Sequence, residues 1–199
     1  MTARSSLRDR RRLETGRDIQ SAALALALEH GYDHLTTEMI AHQAGISVRT
    51  FFNYYANKDA AIVGSPPCIS DANCEQFRSA RGPLVADLLD MLAAIVPLSS
   101  DDRERIRMID LLLTRNPELE PLFVKSLQDL GQQLSRLAQE RLGEGQEHFA
   151  ALLGDTIVHA LAIGFREWAS DPNIPDDRIV GIARDQLSSL GPMLIEARP

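Results

Sequence analysis

Cysteine is almost absent from this chain: Cys68 and Cys74 are the only two in 199 residues, separated by five others. With no second pair and no histidine close by, neither a disulfide framework nor a zinc site is expected, and no metal is assigned. Two plain thiols in a reducing cytoplasm are the expected reading. A redox-sensing pair beside the connector Gly64-Ser65-Pro66-Pro67 is the alternative. No apolar run approaches the roughly twenty residues of a membrane span, and the N-terminal arginines are not followed by an apolar signal segment, so a cytoplasmic protein without a membrane partner is expected. Runs of alternating β-branched residues are missing too, which argues against a sheet. Catalytic patterns are lacking: there is no Ser-His-Asp order, glycine-rich phosphate loop or His-Glu-x-x-His. The acidic pairs Asp101-Asp102 and Asp176-Asp177 read as solvated faces. Neither an enzyme nor a cofactor is therefore expected.

Aromatic residues are scarce as well, at 5 % of the chain, yet Phe51, Phe52, Tyr54 and Tyr55 fall within five positions. That density is too high for a solvated surface helix. The surrounding stretch, Leu35 to Lys58, reads as two short helices joined by a glycine turn. Thr36 stands at an N-cap, Met39, Ile40 and Ala44 give the first helix an apolar stripe, and Gly45 supplies the left-handed residue that stops it. Ser47 caps the second helix. In it Phe51 and Tyr55, four apart, point inward and leave Val48, Arg49, Thr50, Asn53 and Tyr54 for the other side. Hydroxyls, an amide and a guanidinium on so short a helix suit the major groove of DNA.

The net charge of −7 argues against a protein that coats nucleic acid, but the charge is unevenly placed. Residues 1–17 hold six Arg against Asp9 and Glu14, an excess of four positive charges, whereas residues 61–199 hold 13 basic against 21 acidic side chains. A basic end that meets phosphates and an acidic body that does not is the reading this supports. DNA contact by Arg8 to Arg12 and a merely solvated tail stand as equal alternatives.

These residues carry a family resemblance. A leading helix, Thr36-Thr37 to Ile40-Ala41, Ala44-Gly45-Ile46-Ser47, Thr50-Phe51, Tyr54-Tyr55 and Asn57-Lys58 together resemble the N-terminal domain of TetR-family transcriptional regulators, over about Thr15 to Ile62. The resemblance implies an all-α protein: a three-helix, helix-turn-helix DNA-binding domain over 1–62, with 1–14 a flexible basic arm, and a helical ligand-binding and dimerisation domain over 63–199. It implies DNA contacts by Thr37, Ser47, Val48, Arg49, Thr50, Asn53, Tyr54 and Lys58, with Thr37, Tyr54 and Lys58 on phosphates. Four positions depart from the common pattern. Met39 replaces the acid of a capping box, Phe52 replaces a frequent tyrosine, Glu38 brings negative charge near DNA, and Asn53 stands where histidine is common.

Beyond the motif the apolar period stays helical. Arg17 to Glu29 forms the bracing first helix, and Lys58 to Val63 begins a fourth that Gly64 and Pro66-Pro67 cut short, with a restart expected near Asp71. Further helices are expected from Pro83 to about Val96, from Asp101 or Asp102 to Arg115, from Pro117 to Leu142, from Glu147 to Ser170 and from Asp176 to Glu196. The last two have apolar residues on more than one side. By the resemblance they build a homodimer interface, through Leu153, Ile157, Ala160, Gly164, Ile179, Ile182, Leu187 and Leu190; packing within the monomer is the alternative. Met91, Met108, Phe123, His159 and Trp168 are candidate pocket residues for a small-molecule inducer, although Met and Trp at helical spacing are also ordinary core. The family pattern implies a ligand-released repressor on a palindromic operator, with recognition helices about 34 to 36 Å apart. A helical module working through protein partners without operator binding is the alternative function.

Overall fold

A computed structural model describes the backbone of residues 3–64, 69–95 and 100–196, and the side chains of residues 11–64, 69–95 and 101–190. Cys68 and the Pro66-Pro67 pair lie outside the described residues. Ten α-helices and two short 3-10 turns make up the described chain, with no strand among them.

Two compact units divide the chain, residues 1–65 with 108–123, and residues 66–107 with 124–199. The first unit begins with α1 (Ala3–His30), followed by a 3-10 turn (Tyr32–His34), α2 (Thr37–Gln43), α3 (Val48–Phe52) and α4 (Lys58–Val63). Its core holds Ile19, Ala23, Leu24 and Ala27 of α1, Leu35, Ile40 of α2, Phe51 of α3, Tyr55, and Ile62 of α4, all buried. Leu112 and Leu119 complete that core at 1 % and 0 % exposure. The boundary expected at residue 62 is thus incomplete, because a segment far along the sequence is packed with the N-terminal helices.

The flexible arm expected over 1–14 is also corrected: α1 is one 28-residue helix starting at Ala3. Arginine, leucine, alanine and glutamate favour helix, no proline interrupts them, and one interior glycine, Gly16, costs only about 1 kcal/mol. Tertiary contact offsets that cost. The Tyr55 hydroxyl donates to the Gly16 carbonyl at 3.0 Å.

In the second unit lie α5 (Asp71–Ser79), α6 (Leu84–Ile95), the first part of α7 (Ser100–Arg115), most of α8 (Glu120–Leu142), α9 (Glu147–Ser170) and α10 (Arg178–Glu196). The remainder of α7, from Met108, belongs to the first unit, as does the turn at Pro117–Leu119. The helix restart expected near Asp71 is α5, where Ser70 and Asn73 form a reciprocal capping box. Phe77, Leu88, Leu89, Leu92, Leu134, Ala138, Ala150 and Ile157 form the main core.

Helix α9 is long and apolar enough to cross a bilayer, and one side of it is packed into this core. Gly154 lets it approach α8 closely, since a Cβ there would lie 2.4 Å from the Gly131 carbonyl oxygen. Gly164 does the same for α10, where a Cβ would meet the Ile179 carbonyl oxygen at 2.8 Å.

At the end of α9 a second, smaller cluster surrounds Trp168, with Ala169 and Ile179 buried beside it. The Arg103 guanidinium lies 4.2 Å from the Trp168 ring centre. It donates to the carbonyls of Trp168, Asp171 and Ile174. A helix end leaves its last carbonyls without intrahelical donors and carries partial negative charge, and one arginine answers both needs here.

Candidate nucleic-acid interface

Three side-chain caps define the helix-turn-helix. Thr36 accepts from the Met39 N–H at 3.2 Å, Ser47 from the Thr50 N–H at 3.0 Å, and Asn57 from the Ala60 N–H at 2.8 Å. Each satisfies an orphan donor of a first helical turn, worth about 1 kcal/mol. Met39 supplies no carboxylate for a capping box, so only one half of that motif is present. Gly45 adopts φ 66° between α2 and α3, the left-handed region where a side chain would be strained.

Phe51 and Tyr55 point inward, as their spacing predicts, and are 0 % and 7 % exposed. That burial fixes the orientation of α3. Ser47, Arg49 and Asn53 are exposed, while Val48, Thr50 and Tyr54 are half-buried. Val48 and Tyr54 also pack against the core. Ser47 and Thr50 pair through their hydroxyls at 2.8 Å, leaving each with further hydrogen-bonding capacity.

Two assigned phosphate contacts have other partners. The Lys58 ammonium donates to the Tyr32 carbonyl at 2.9 Å and sits 4.3 Å from the Tyr32 ring centre. Lys58 is therefore turned toward Tyr32 of its own unit. Tyr32 in turn donates its hydroxyl to Asp59 at 2.7 Å. Burial, followed by Asp59, raises the Tyr32 phenol above its usual range, so it stays a donor. Thr37 donates to Glu38 at 3.2 Å. The Glu38 carboxyl is held below the usual carboxylate range by its own backbone N–H first, then by the hydroxyls of Thr37 and Thr36. A negative charge accordingly stands beside Thr37 at the start of α2.

The sequence singled out Arg12 only as one of a basic run. In the structure its guanidinium donates to the Asn53 carbonyl at 3.2 Å and lies 5.1 Å from the Tyr54 ring centre. This contact ties α1 to the C-terminal end of α3 across 41 residues, with no local signal in the sequence. Replacing Arg12 by alanine is expected to lose one hydrogen bond and one exposed cation–π contact, about 1 to 2 kcal/mol together. DNA affinity measured by anisotropy should fall several-fold. Arg12→Lys should restore less than half of it, because an ammonium lacks the planar fork. Wild-type affinity in Arg12→Ala would remove Arg12 from the site.

The residues expected to face a second subunit are mostly taken by their own unit. Ile157, Ala160 and Ile179 are 0 %, 6 % and 2 % exposed, Gly164 is buried against α10, and Leu153 and Leu187 pack against the unit's core. Ile182 is half-buried. Leu190 of α10, one of the expected set, is 43 % exposed, and the outward apolar residues of α9 are Phe149, Leu152 and Ile163, at 52 %, 65 % and 46 %. The expected pocket residues are divided between the two units. Met91 lies in the main core, Trp168 in the cluster under Arg103, and His159 faces outward with its Nδ1 bonded to the Asp155 carbonyl. Met108 and Phe123 belong to the first unit.

An all-helical chain whose capped helix-turn-helix presents a guanidinium, an amide and hydroxyls has the architecture of a DNA-binding regulator. Residues 19–61 match the family model described as bacterial regulatory proteins, tetR family. This N-terminal domain is thus similar to the one that tetR-family regulatory proteins share. It is 26 % identical over 185 residues to the proposed mycofactocin biosynthesis transcriptional regulator MftR of Mycobacterium tuberculosis, spanning 88 % of this chain and 90 % of that one. A solved structure of the fatty acid degradation regulator FadR from Bacillus halodurans is 18 % identical with a TM-score of 0.45, over 85 % of this chain and 93 % of that one.

Proposed function

We propose that this regulator is a homodimeric repressor that holds a palindromic operator and is released by a small molecule. The observation that carries the dimer is the outward stripe of Phe149, Leu152 and Ile163 on α9, joined by Leu190 on α10. Phe149, Leu152, Thr156, His159 and Ile163 follow one another at steps of three and four, which place them along one side of a helix. Two such sides from two subunits form a four-helix contact. Paired reading heads then meet successive major grooves, and affinity for the palindrome exceeds that of one head by avidity. A small molecule that prefers a state with the heads wrongly spaced shifts the population away from DNA, and only its differential affinity does so. This last part rests on the family resemblance. Residues 1–65 with 108–123 act as the DNA-binding domain and the remaining residues as the regulatory one.

Binding to the DNA flanking the protein's own coding region, titrated with salt, tests the reading. Operator binding weakens steeply with ionic strength, with a slope of about −0.9 for each phosphate neutralised. Salt-insensitive association with protein alone would instead support a helical module without operator. Within a bound operator, Arg49→Ala should reduce discrimination at one base position by about 1 to 3 kcal/mol, as loss of a bidentate contact to guanine does. Uniform weakening across all sequences would place Arg49 on the backbone.

A further inference from the structure

Phe52 is the one large apolar side chain of α3 that the first unit does not bury: it is 52 % exposed, while its neighbour Phe51 is fully buried. Single exposed apolar residues need no explanation on most surfaces. This one sits three residues after exposed Arg49, a spacing that sets the two side by side on α3. It is also held in place. Its ring meets the Phe51 ring edge-on, with centroids 5.4 Å apart and planes at 87°. Because Phe51 is locked in the core, the Phe52 ring presents its free side in a defined direction.

A phenyl ring has no donor or acceptor, so it cannot fix a phosphate or pair with a base amide. On a major-groove floor the group complementary to it is the C5-methyl of thymine, the one apolar feature in the groove's code. We propose that Phe52 reads a thymine methyl in each half-site, converting a position suited to a hydroxyl–phosphate contact into one that selects thymine over cytosine. The inference rests on the DNA-binding reading of α3 given above.

The test uses the full-length protein and a duplex that it selects from random-sequence DNA. Each thymine is replaced in turn by deoxyuridine, which removes the methyl and keeps every hydrogen-bonding group. One thymine per half-site should then lower wild-type affinity about four-fold, the worth of one buried methyl group. In the homodimer Phe52→Ala removes both contacts, so it should bind the parent duplex as weakly as wild type binds the duplex with both of those thymines replaced, and lose all sensitivity to uracil there. Phe52→Tyr keeps the ring and should keep the sensitivity. The proposal falls if no thymine is methyl-sensitive, if Phe52→Ala keeps the wild-type uracil penalty, or if Phe52→Tyr tightens binding to every duplex equally while uracil has no effect, which would place the ring at the backbone. Failure to select any duplex with salt-steep binding would overturn the operator reading as well, so the two failures are distinct. A half-exposed position tolerates both substitutions, and unchanged helical circular dichroism checks it.

Discussion

Replacing Leu152 and Ile163 together by glutamate is expected to give a folded monomer that no longer holds an operator. Both side chains are largely exposed, at 65 % and 46 %, so the substitutions remove little core contact. Surface changes of this kind alter stability by less than about 0.5 kcal/mol. Between two subunits the same positions would place four carboxylates in an apolar contact, where each must be desolvated without a partner. Affinity for a palindrome then falls by the avidity factor, about 10²- to 10⁴-fold, as each head binds alone. Sedimentation equilibrium reads the mass, and anisotropy on one- and two-half-site duplexes reads the avidity. A double variant that stays dimeric at the wild-type concentration would refute α9 as the interface. Leu187 is the wrong site for such a test, because it packs against its own unit's core and a charge there would mainly unfold it.

Trp168→Ala should be the most damaging single truncation in the second unit. The indole is fully buried, lies under the Arg103 guanidinium, and donates Nε1–H to Asp176 at 3.1 Å. Removing it opens a cavity and strands both Arg103 and Asp176 from one partner. The cost expected for a buried aromatic is about 3 to 5 kcal/mol. For a chain of this length that lowers the melting temperature by about 6 to 20 °C. Trp168→Phe fills most of the space but lacks the donor, and should cost about half as much. A melt followed by far-ultraviolet circular dichroism measures both. Equal losses for Ala and Phe would mean that the Nε1–Asp176 bond, rather than the packed ring, holds the end of α9.

The same residue shows why pocket residues were hard to read. Trp168 was a candidate for contacting a small molecule because aromatics favour irregular apolar ligands. Its ring is instead closed from one side by Arg103, which lies 65 residues earlier in the sequence. Met91 and Met108 likewise sit in or against core, in different units. Apolar type at helical spacing marks a buried side chain without distinguishing a protein neighbour from a ligand. The exposed side of α3 was more legible. Burial of Phe51 and Tyr55 forces Arg49 and Asn53 outward, and that follows from the spacing of two aromatics alone.

What the sequence determined by itself was local. Thr36, Ser47 and Asn57 cap helices through bonds spanning three residues, Gly45 turns the chain by its backbone freedom, and the ends of α9 follow from residues at its two boundaries. Such interactions act within a turn or two, so the chain spells them in order. The tertiary structure alone decided which side of α9 is already occupied, since an apolar stripe on two faces does not reveal which one its own unit covers. It also turned Lys58 onto Tyr32, laid Arg12 against Tyr54, and packed Leu112 and Leu119 with the N-terminal helices. Those contacts join residues from 26 to almost a hundred positions apart, where the hydrophobic effect and cation–π attraction have no sequence period to leave behind.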